Sequence, residues 1–518
     1  MSRQMTRRTG MIMRLSTMLK DTPGKNVLAD AEVTGIAYDS RAVSPGYAFF
    51  AIPGFKDDGR RYIPDALRRG ASAVVTSLDG TPDLPTGVPK GKGFAVVSDP
   101  RRALSSAASV FYGHPSRDLT VVGVTGTKGK TTVCHLVKSV LDSCGLRTGL
   151  IGTVHNIVGD EVRPVTRTTP ESSDLQSLMS EMVAKNLDAV TMEVSSHAME
   201  LFRVEDILFD AAVFTNMGWD HLDFHGTMEA YAGAKARLFS LLERSRGLKK
   251  SERLQTAAIN ADDPYAGLFR SKAVGRVVTY GLGEDSEVRA KDVRMDARGT
   301  TFTLVAGDIE RRVRTVLLGR FNVYNSLAAA AVAYGLGFDR ATIAEGLERA
   351  EPVRGRVELV PGSKEFSVWV DYAHTPESLR DILALAREMS TGRVILVFGC
   401  GGERDAGRRP VMGKLAGDMA DFVIITNDNP RNEDEDQILD HIESGIRESR
   451  GRGSYLRISD RRRAIYEAVE RAMPGDVVVV AGKGHETYQV VGDEVFHFDD
   501  AEEARRAILA VSGKDGER

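Results

Sequence analysis

Apolar residues along this chain follow two rhythms. Continuous apolar runs that end abruptly in glycine, asparagine or a charge read as strands buried on both faces, and apolar residues three and four apart read as helices. Over residues 1–116 the runs Tyr47–Ile52, Ser72–Thr76 and Phe94–Val97, each closed by turn residues, predict a small α/β domain. The segment Tyr112–Arg117 then reads as a linker. Over residues 117–351 the runs Leu119–Thr125, Ala189–Val194, Ala211–Thr215 and Thr256–Asn260 predict strands. Between them Thr131–Ser143 sets Val133, Leu136, Val137, Val140 and Leu141 at helical spacing, and an alanine-rich helix over Tyr324–Tyr334 closes the section. Strands alternating with helices imply a parallel sheet covered on both faces. Beyond Glu351-Pro352, residues 352–518 carry the runs Val394–Phe398, Phe422–Thr426 and Val477–Ala481, a Rossmann-like pattern whose ligands would bind past the strand ends. The fold class is α/β in three domains: a small N-terminal one, a central P-loop ATPase-like one and a C-terminal Rossmann-like one.

Composition narrows the function. A chain of 518 residues exceeds what one core serves, and 42% hydrophobic with 27% charged residues is ordinary for a soluble protein. The formal net charge of −3, with no long basic tail, argues against nucleic-acid or anionic-membrane binding. Three cysteines, Cys134, Cys144 and Cys400, have neither metal-ligand spacing nor a disulfide framework, which fits a reducing cytosol. Arg3, Arg7, Arg8 and Arg14 precede no apolar stretch of signal-peptide length, and the first dozen residues are expected to be disordered. No apolar run reaches the ~18 residues that span a bilayer. A cytoplasmic protein is expected.

Chemistry enters with Thr125–Thr132, TGTKGKTT, between the clearest strand and the clearest helix. Gly126 and Gly129 let backbone N–H groups turn toward phosphate oxygens, and the helix N-terminus adds partial positive charge. Thr127, Lys128 and Thr132 complete the loop, Lys130 reaches the β/γ-phosphates, and the Thr131 hydroxyl binds Mg2+. Position 124 is valine where the ordinary GxxxxGK[ST] loop has its first glycine, so this is a tighter variant. The blander alternative, a glycine-rich turn with a solvated lysine, leaves the strand–loop–helix order unexplained.

Glu193 ends an apolar strand in Met192–His197, where a carboxylate suits Mg2+. The loop Asp220–Gly226 packs Asp220, His221, Asp223 and His225 together after the next strand. Taken alone these are as readily polar loop residues as ligands. Lys235, on the helix around Tyr231–Phe239, reads locally as a solvated surface lysine.

Together these residues resemble the Mur ligases of bacterial cell-wall synthesis. The likeness rests on TGTKGKTT, MEVSSH, Asn216 with Asp220–Gly226, the Lys235 helix, Gly319–Asn325, Arg354–Arg356, Asp371–Pro376, Asp428–Arg431 and Gly482–Glu486, in family order from residue 38 to 490. Asp39-Ser40-Arg41 resembles a UDP-binding signature, so the resemblance implies domains for UDP-sugar, ATP and amino acid. It implies an ATP-dependent ligase with Lys130, Glu193, His221 and Lys235 as catalytic residues. Thr131, Glu193 and His221 would bind magnesium. Lys235 would be modified to N6-carboxylysine, a carbamate formed from carbon dioxide that helps hold a second Mg2+, which reverses the local reading. Asn322, Asn325, Arg356 and Asp371 resemble adenine, phosphate and ribose contacts. Ser40, Thr168, Thr169, Ser195 and Arg203 resemble contacts to UDP-N-acetylmuramoyl-L-alanyl-D-glutamate. Lys128, where many relatives have asparagine, is expected to face solvent.

The branch most resembled adds meso-diaminopimelate. Pro430 fixes a turn, and the Arg431 guanidinium after it can hold a carboxylate through two parallel hydrogen bonds. Arg404, Asp428, Asn429, Gly482 and Glu486 would complete the pocket, with Glu486 on the distal ammonium. Lysine lacks that carboxylate, and leaving the site unpaired costs on the order of 2–5 kcal/mol. The run Glu433–Asp436 reads as a solvated helix start. Implied partners are small molecules (ATP, the UDP-muramoyl dipeptide and diaminopimelate), with no nucleic acid and no membrane, acting on a monomer. The alternatives are a lysine-adding ligase, a folylpolyglutamate synthase, which would lack the Asp39–Arg41 and Asp428–Arg431 segments, and a P-loop motor or inert nucleotide-binding module.

Overall fold

The computed structural model describes residues 12–54, 57–77, 90–249, 253–296, 299–363, 365–450 and 454–515. The disorder expected near the N-terminus concerns residues 1–11, which lie outside the described residues. The chain divides into two compact units. The first holds Met1–Asp292, Phe302–Val313 and Phe321–Arg349, and the second holds Val293–Thr301, Arg314–Arg320 and Ala350–Arg518.

Within the first unit, a five-stranded sheet forms in the order Asn26–Ala29, Gly93–Val96, Ala73–Thr76, Tyr47–Phe50, Gly35–Ala37, parallel except for the first strand. Leu15, Phe50, Val75, Leu104 and Phe111 pack one face of it. A second sheet has a parallel run that includes, in order, Thr148–Ile151, Ala189–Glu193, Thr120–Thr125, Ala211–Phe214, Thr256–Asn260 and Arg276–Gly281. Every residue of Thr120–Thr125, Ala189–Glu193 and Ala211–Phe214 is buried, which is why these strands read as unbroken apolar runs. From Thr120–Thr125 the chain builds strands first on one side and then on the other. The order reverses between Thr120–Thr125 and Ala211–Phe214, the point past whose carboxyl ends sheets of this kind form their ligand crevice.

The expected linker is not a free one. His114 takes a left-handed φ of 55°, a short turn follows over Pro115–Arg117, and Pro115 and Ser116 are buried. Lys249 is tied to the carbonyls of Ser116 and Leu119 at 2.6 and 2.5 Å, and Leu208 N–H donates to the Ser116 hydroxyl at 3.1 Å. Buried main-chain groups need partners, and here the body of the same unit supplies them.

In the second unit the order is Glu358–Val360, Ser367–Asp371, Val477–Ala481, Val394–Phe398, Phe422–Ile425, Ser454–Arg457, with all but the first strand parallel. A hairpin, Tyr488–Val491 with Glu494–His497, follows the strand Val477–Ala481. Among the described residues no helix is long and apolar enough to cross a membrane.

Candidate functional site

The loop 126–129 leaves the carboxyl end of the strand Thr120–Thr125 and ends in the helix Lys130–Ser143. Gly126 has φ +143° and Gly129 φ +84°; a Cβ would stand 1.9 Å from Thr215 Oγ1 at the first and 2.6 Å from Asn325 Oδ1 at the second. Only glycine lets the loop lie this close to both neighbours. Asn216 grips the loop on three atoms. Its carbonyl accepts from Thr127 N at 2.8 Å, its Oδ1 accepts from Lys128 N at 3.0 Å, and its Nδ2 donates to Lys128 O at 3.2 Å. Lys128 itself is half-buried, its main chain held by Asn216. Lys130 Nζ donates to the carbonyls of Gly126 and Thr127, each at 2.8 Å, and Thr131 and Thr132 are buried at the helix start.

Lys235 shares that environment. It lies on the helix Met228–Leu241 with 1% of its surface exposed, so the solvated position suggested by local pattern is wrong. Its Nζ donates to Gly126 O at 2.8 Å and stands 4.5 Å from the Tyr231 ring centroid. Burial, and then the positive charge of Lys130, hold its amine far below the ordinary lysine range.

Glu193 is 1% exposed, and its Oε1 accepts from Thr153 N at 2.7 Å. His221, half-exposed with a left-handed φ of 53°, sits beside Asp220 at 3.4 Å. His197 packs against His221 and His225 at ring-centroid distances of 4.8 and 5.7 Å. Burial lowers all three imidazoles, and the charges of the other two help bring His197 down to about 4. Neutral imidazoles are competent ligands. Among the described residues no three His, Cys, Asp or Glu side chains form a ready metal cage. The set Thr131, Glu193, His221 offers one buried carboxylate, one hydroxyl and one neutral imidazole. That fits Mg2+, which keeps several waters and takes further oxygens from phosphate.

The other expected ATP contacts divide between the units. Asn322 and Asn325 are buried in the first, joined by Asn325 Nδ2 to Asn322 Oδ1 at 2.8 Å, and Asn325 abuts Gly129. Arg356 and Asp371 are in the second. There Asp371 accepts from Val357 N at 2.8 Å, and burial raises its carboxyl against the opposing charge of Arg356. Arg356 lies 4.8 Å from the Tyr372 ring centroid.

Thr168, Thr169, Ser195 and Arg203 gather around the carboxyl end of the Glu193 strand. Thr169 Oγ1 donates to Glu193 O at 2.8 Å, Arg203 donates to Thr169 O at 3.0 Å and pairs with Glu171 at 2.8 Å, and Thr168 Oγ1 accepts from Thr153 at 3.1 Å. Ser195 already caps the helix Ser196–Glu200 through Ala198 N. Ser40 lies in the smaller sheet's region, buried in the turn Ser40–Ala42, near where Tyr38 donates to Asp174 at 2.8 Å.

Arg404, Asp428, Asn429, Pro430, Arg431, Gly482 and Glu486 follow the carboxyl ends of three adjacent strands of the second unit. Arg431 has a left-handed φ of 56°; its Nη1 donates to Gly402 O at 2.6 Å, and its N–H pairs with Val490 O of the hairpin at 3.1 Å. Both arginines crowd Gly401, where a Cβ would stand 3.1 Å from Arg431 Nη1 and 3.5 Å from Arg404 Cγ, and their charges oppose the rise that burial gives the Tyr488 hydroxyl. Gly482, at φ +117°, is a spacer: a Cβ there would stand 2.9 Å from Asp428 Oδ2. Glu486 accepts from Asn429 Nδ2 at 2.9 Å, and burial, then the Asp428 charge, raise its carboxyl. Glu433 is no mere solvated helix start: it pairs with the buried Arg409 at 2.5 Å, and the helix Glu435–Arg447 is capped by Asp434. Sequence reasoning assigned nothing to Lys483, which is fully buried beside Asp428, Asn429 and Glu486. Its place between two assigned residues was the available signal.

Three family models match in chain order: Mur ligase family, catalytic domain, over residues 32–112; Mur ligase middle domain, over 124–333; and Mur ligase, glutamate ligase domain, over 355–484. A protein of Caldanaerobacter subterraneus subsp. tengcongensis named UDP-N-acetylmuramoyl-L-alanyl-D-glutamate–2,6-diaminopimelate ligase is 43% identical over 485 residues, 94% of this chain and 96% of its own. A protein of the same name from Bacillus velezensis is 44% identical over 504 residues, 97% and 99% of the two chains. A solved structure of a ligase of that name is 34% identical with a TM-score of 0.65, covering 92% of this chain and 95% of that one.

Proposed function

The chain belongs to the Mur ligase family, and from that footing we propose that it is an ATP-dependent ligase joining meso-diaminopimelate to UDP-N-acetylmuramoyl-L-alanyl-D-glutamate in peptidoglycan precursor synthesis. The observation that carries this reading is likeness at 43–44% identity over 94–97% of the chain to proteins bearing that name.

A carboxylate oxygen is a poor leaving group, so the reaction needs activation. The γ-phosphoryl of ATP passes to the D-glutamyl γ-carboxylate, giving an acyl phosphate and ADP. The amine of the incoming amino acid attacks the acyl carbon, and phosphate leaves from the tetrahedral adduct. The first step brings two anions together. Lys130, the N–H groups of the 126–129 loop and the helix N-terminus at Lys130 supply the opposing charge, by positioning rather than by covalent chemistry. Thr131, Glu193 and His221 would hold Mg2+, which shields phosphate charge. Lys235 would carry a carbamate that serves a second magnesium; a buried amine bonded to a carbonyl is consistent with a lysine that does not stay an ammonium.

We further read residues 1–116, 117–351 and 352–518 as parts for the UDP-sugar, ATP and the amino acid. Ser40, Thr168, Thr169, Ser195 and Arg203 serve the first substrate, and Asn322, Asn325, Arg356 and Asp371 serve ATP. Arg404 and Arg431 take the extra carboxylate of diaminopimelate, while Glu486 and Asp428 take its ammonium. The protein is read as a cytoplasmic monomer whose product supports cell shape and division. The test offers purified protein ATP, magnesium, the UDP-muramoyl dipeptide and either diaminopimelate or lysine, with ADP release and product mass as readouts. Preference for lysine would overturn the substrate, and ADP release that ignores both amino acids would overturn the ligase.

A further inference from the structure

Neither motif spacing nor resemblance gives Lys483 a task. Its side chain is fully buried, two residues past the strand Val477–Ala481. Nζ donates to Asn429 Oδ1 at 3.0 Å and lies 3.5 Å from both Asp428 Oδ1 and Glu486 Oε2. Asn429 in turn accepts from Val490 N at 3.0 Å and donates to Glu486 at 2.9 Å, so its amide is held on three sides. The Asp428 carbonyl accepts from Gln489 Nε2 at 2.8 Å, which ties the same loop to the hairpin again. The network closes on one ammonium and two carboxylates, so removing the ammonium would leave two neighbouring carboxylates without a counter-charge. Their formal charges leave one net negative, set beside the Arg431 guanidinium, whose Nη1 reaches Asn429 O at 3.5 Å.

We propose that Lys483 is a specificity-determining positioning residue. It orients Asp428, Asn429 and Glu486 and trims the pocket's negative charge so that an amino-acid end bearing both ammonium and carboxylate is preferred to one bearing an ammonium alone. This inference rests on the assignment of that pocket under the proposed function. Without Lys483 the carboxylates face the ligand with an additional uncompensated negative charge, which repels a carboxylate-bearing end and attracts a purely cationic one.

Steady-state kinetics of the full chain test it, with ATP and UDP-muramoyl dipeptide saturating and diaminopimelate or lysine varied. Lys483→Met should raise KM for diaminopimelate, leave KM for ATP unchanged, and lower the diaminopimelate-to-lysine ratio of kcat/KM by roughly tenfold or more. Asp428→Asn, which removes a negative charge and keeps the lysine, should move that ratio the other way. It supplies the reading if thermal scans show that Lys483→Met does not fold. A ratio that either folded variant leaves unchanged, because use of both amino acids falls alike, would mark Lys483 as structural only and overturn the inference. A wild-type protein that uses neither amino acid, or prefers lysine, refutes the proposed function instead, before any variant is made.

Discussion

Lys235→Met should remove activity while leaving the protein as stable as before, or more so. The amine is 1% exposed, and the Gly126 carbonyl that it reaches at 2.8 Å also accepts from Lys130 at 2.8 Å. The substitution therefore orphans no acceptor. Losing one hydrogen bond costs about 0.5–1.5 kcal/mol. Removing a poorly solvated polar group recovers about 1–3 kcal/mol, and methionine matches the stem closely enough to leave no large cavity. The balance is neutral to about 2 kcal/mol stabilising, a rise of a few degrees at most in a domain of this size. The group proposed to hold the second magnesium beside the phosphate loop is lost, so turnover should fall by about 10²–10³. Circular-dichroism thermal scans without nucleotide, run beside ADP-release assays, measure both quantities. A Tm drop beyond about 5 °C would show that Lys235 holds the fold together, and that the ledger above has the wrong sign. Normal turnover would remove Lys235 from the reaction. If the lysine works as a carbamate, Lys235→Ala should regain part of its activity with short carboxylic acids, and carbon dioxide depletion should silence the wild type.

Gly126→Ala places a methyl 1.9 Å from Thr215 Oγ1 at φ +143°, so ADP affinity by calorimetry should fall at least about thirtyfold; wild-type affinity would refute the close approach. Glu486 is raised above its ordinary 4.5 by burial and Asp428, so it protonates earlier as pH falls. Apparent affinity for diaminopimelate should weaken at a pH where an ordinary glutamate is still ionised, and Glu486→Gln should flatten that dependence; an unchanged profile in the variant would exclude Glu486 as its source. The same raised value makes the ionised form unfavourable in the folded state, so its contribution to stability is lost as pH rises through the folded pKa. Glu486→Gln should therefore not destabilise the protein at neutral pH, as urea unfolding can check. Arg461 and Asp500 form an ion pair with both side chains 0% exposed, and Arg461 also donates to Asn427 O and Ala481 O at 3.2 and 3.0 Å. Arg461→Met should cost about 3–5 kcal/mol in urea unfolding, much of it restored by adding Asp500→Leu; a single variant as stable as wild type would contradict the pairing argument.

The central strands and the phosphate loop were legible because contiguous residues encode them. Unbroken apolar runs mark strands buried on both faces, and the loop needs glycine at two left-handed positions beside a helix start. Observed bounds differ from the expected ones mainly at the ends: the alanine-rich helix runs Arg320–Gly335, and the strand expected at Phe422–Thr426 ends at Ile425. That the linker segment is buried and tied down was not legible, because the Lys249 and Leu208 groups that bond to it come from elsewhere in the unit.

By itself, then, the sequence determined the α/β class, the phosphate loop and the likeness to a ligase family. Tertiary structure decided which charges are buried, and with what. Lys235 meets its carbonyl across 109 residues, Lys483 meets Asp428 across 55, and Arg409 meets Glu433 across 24. No local pattern records such pairings, because an ionic side chain is tolerated inside a protein only through partners that folding brings from a distance.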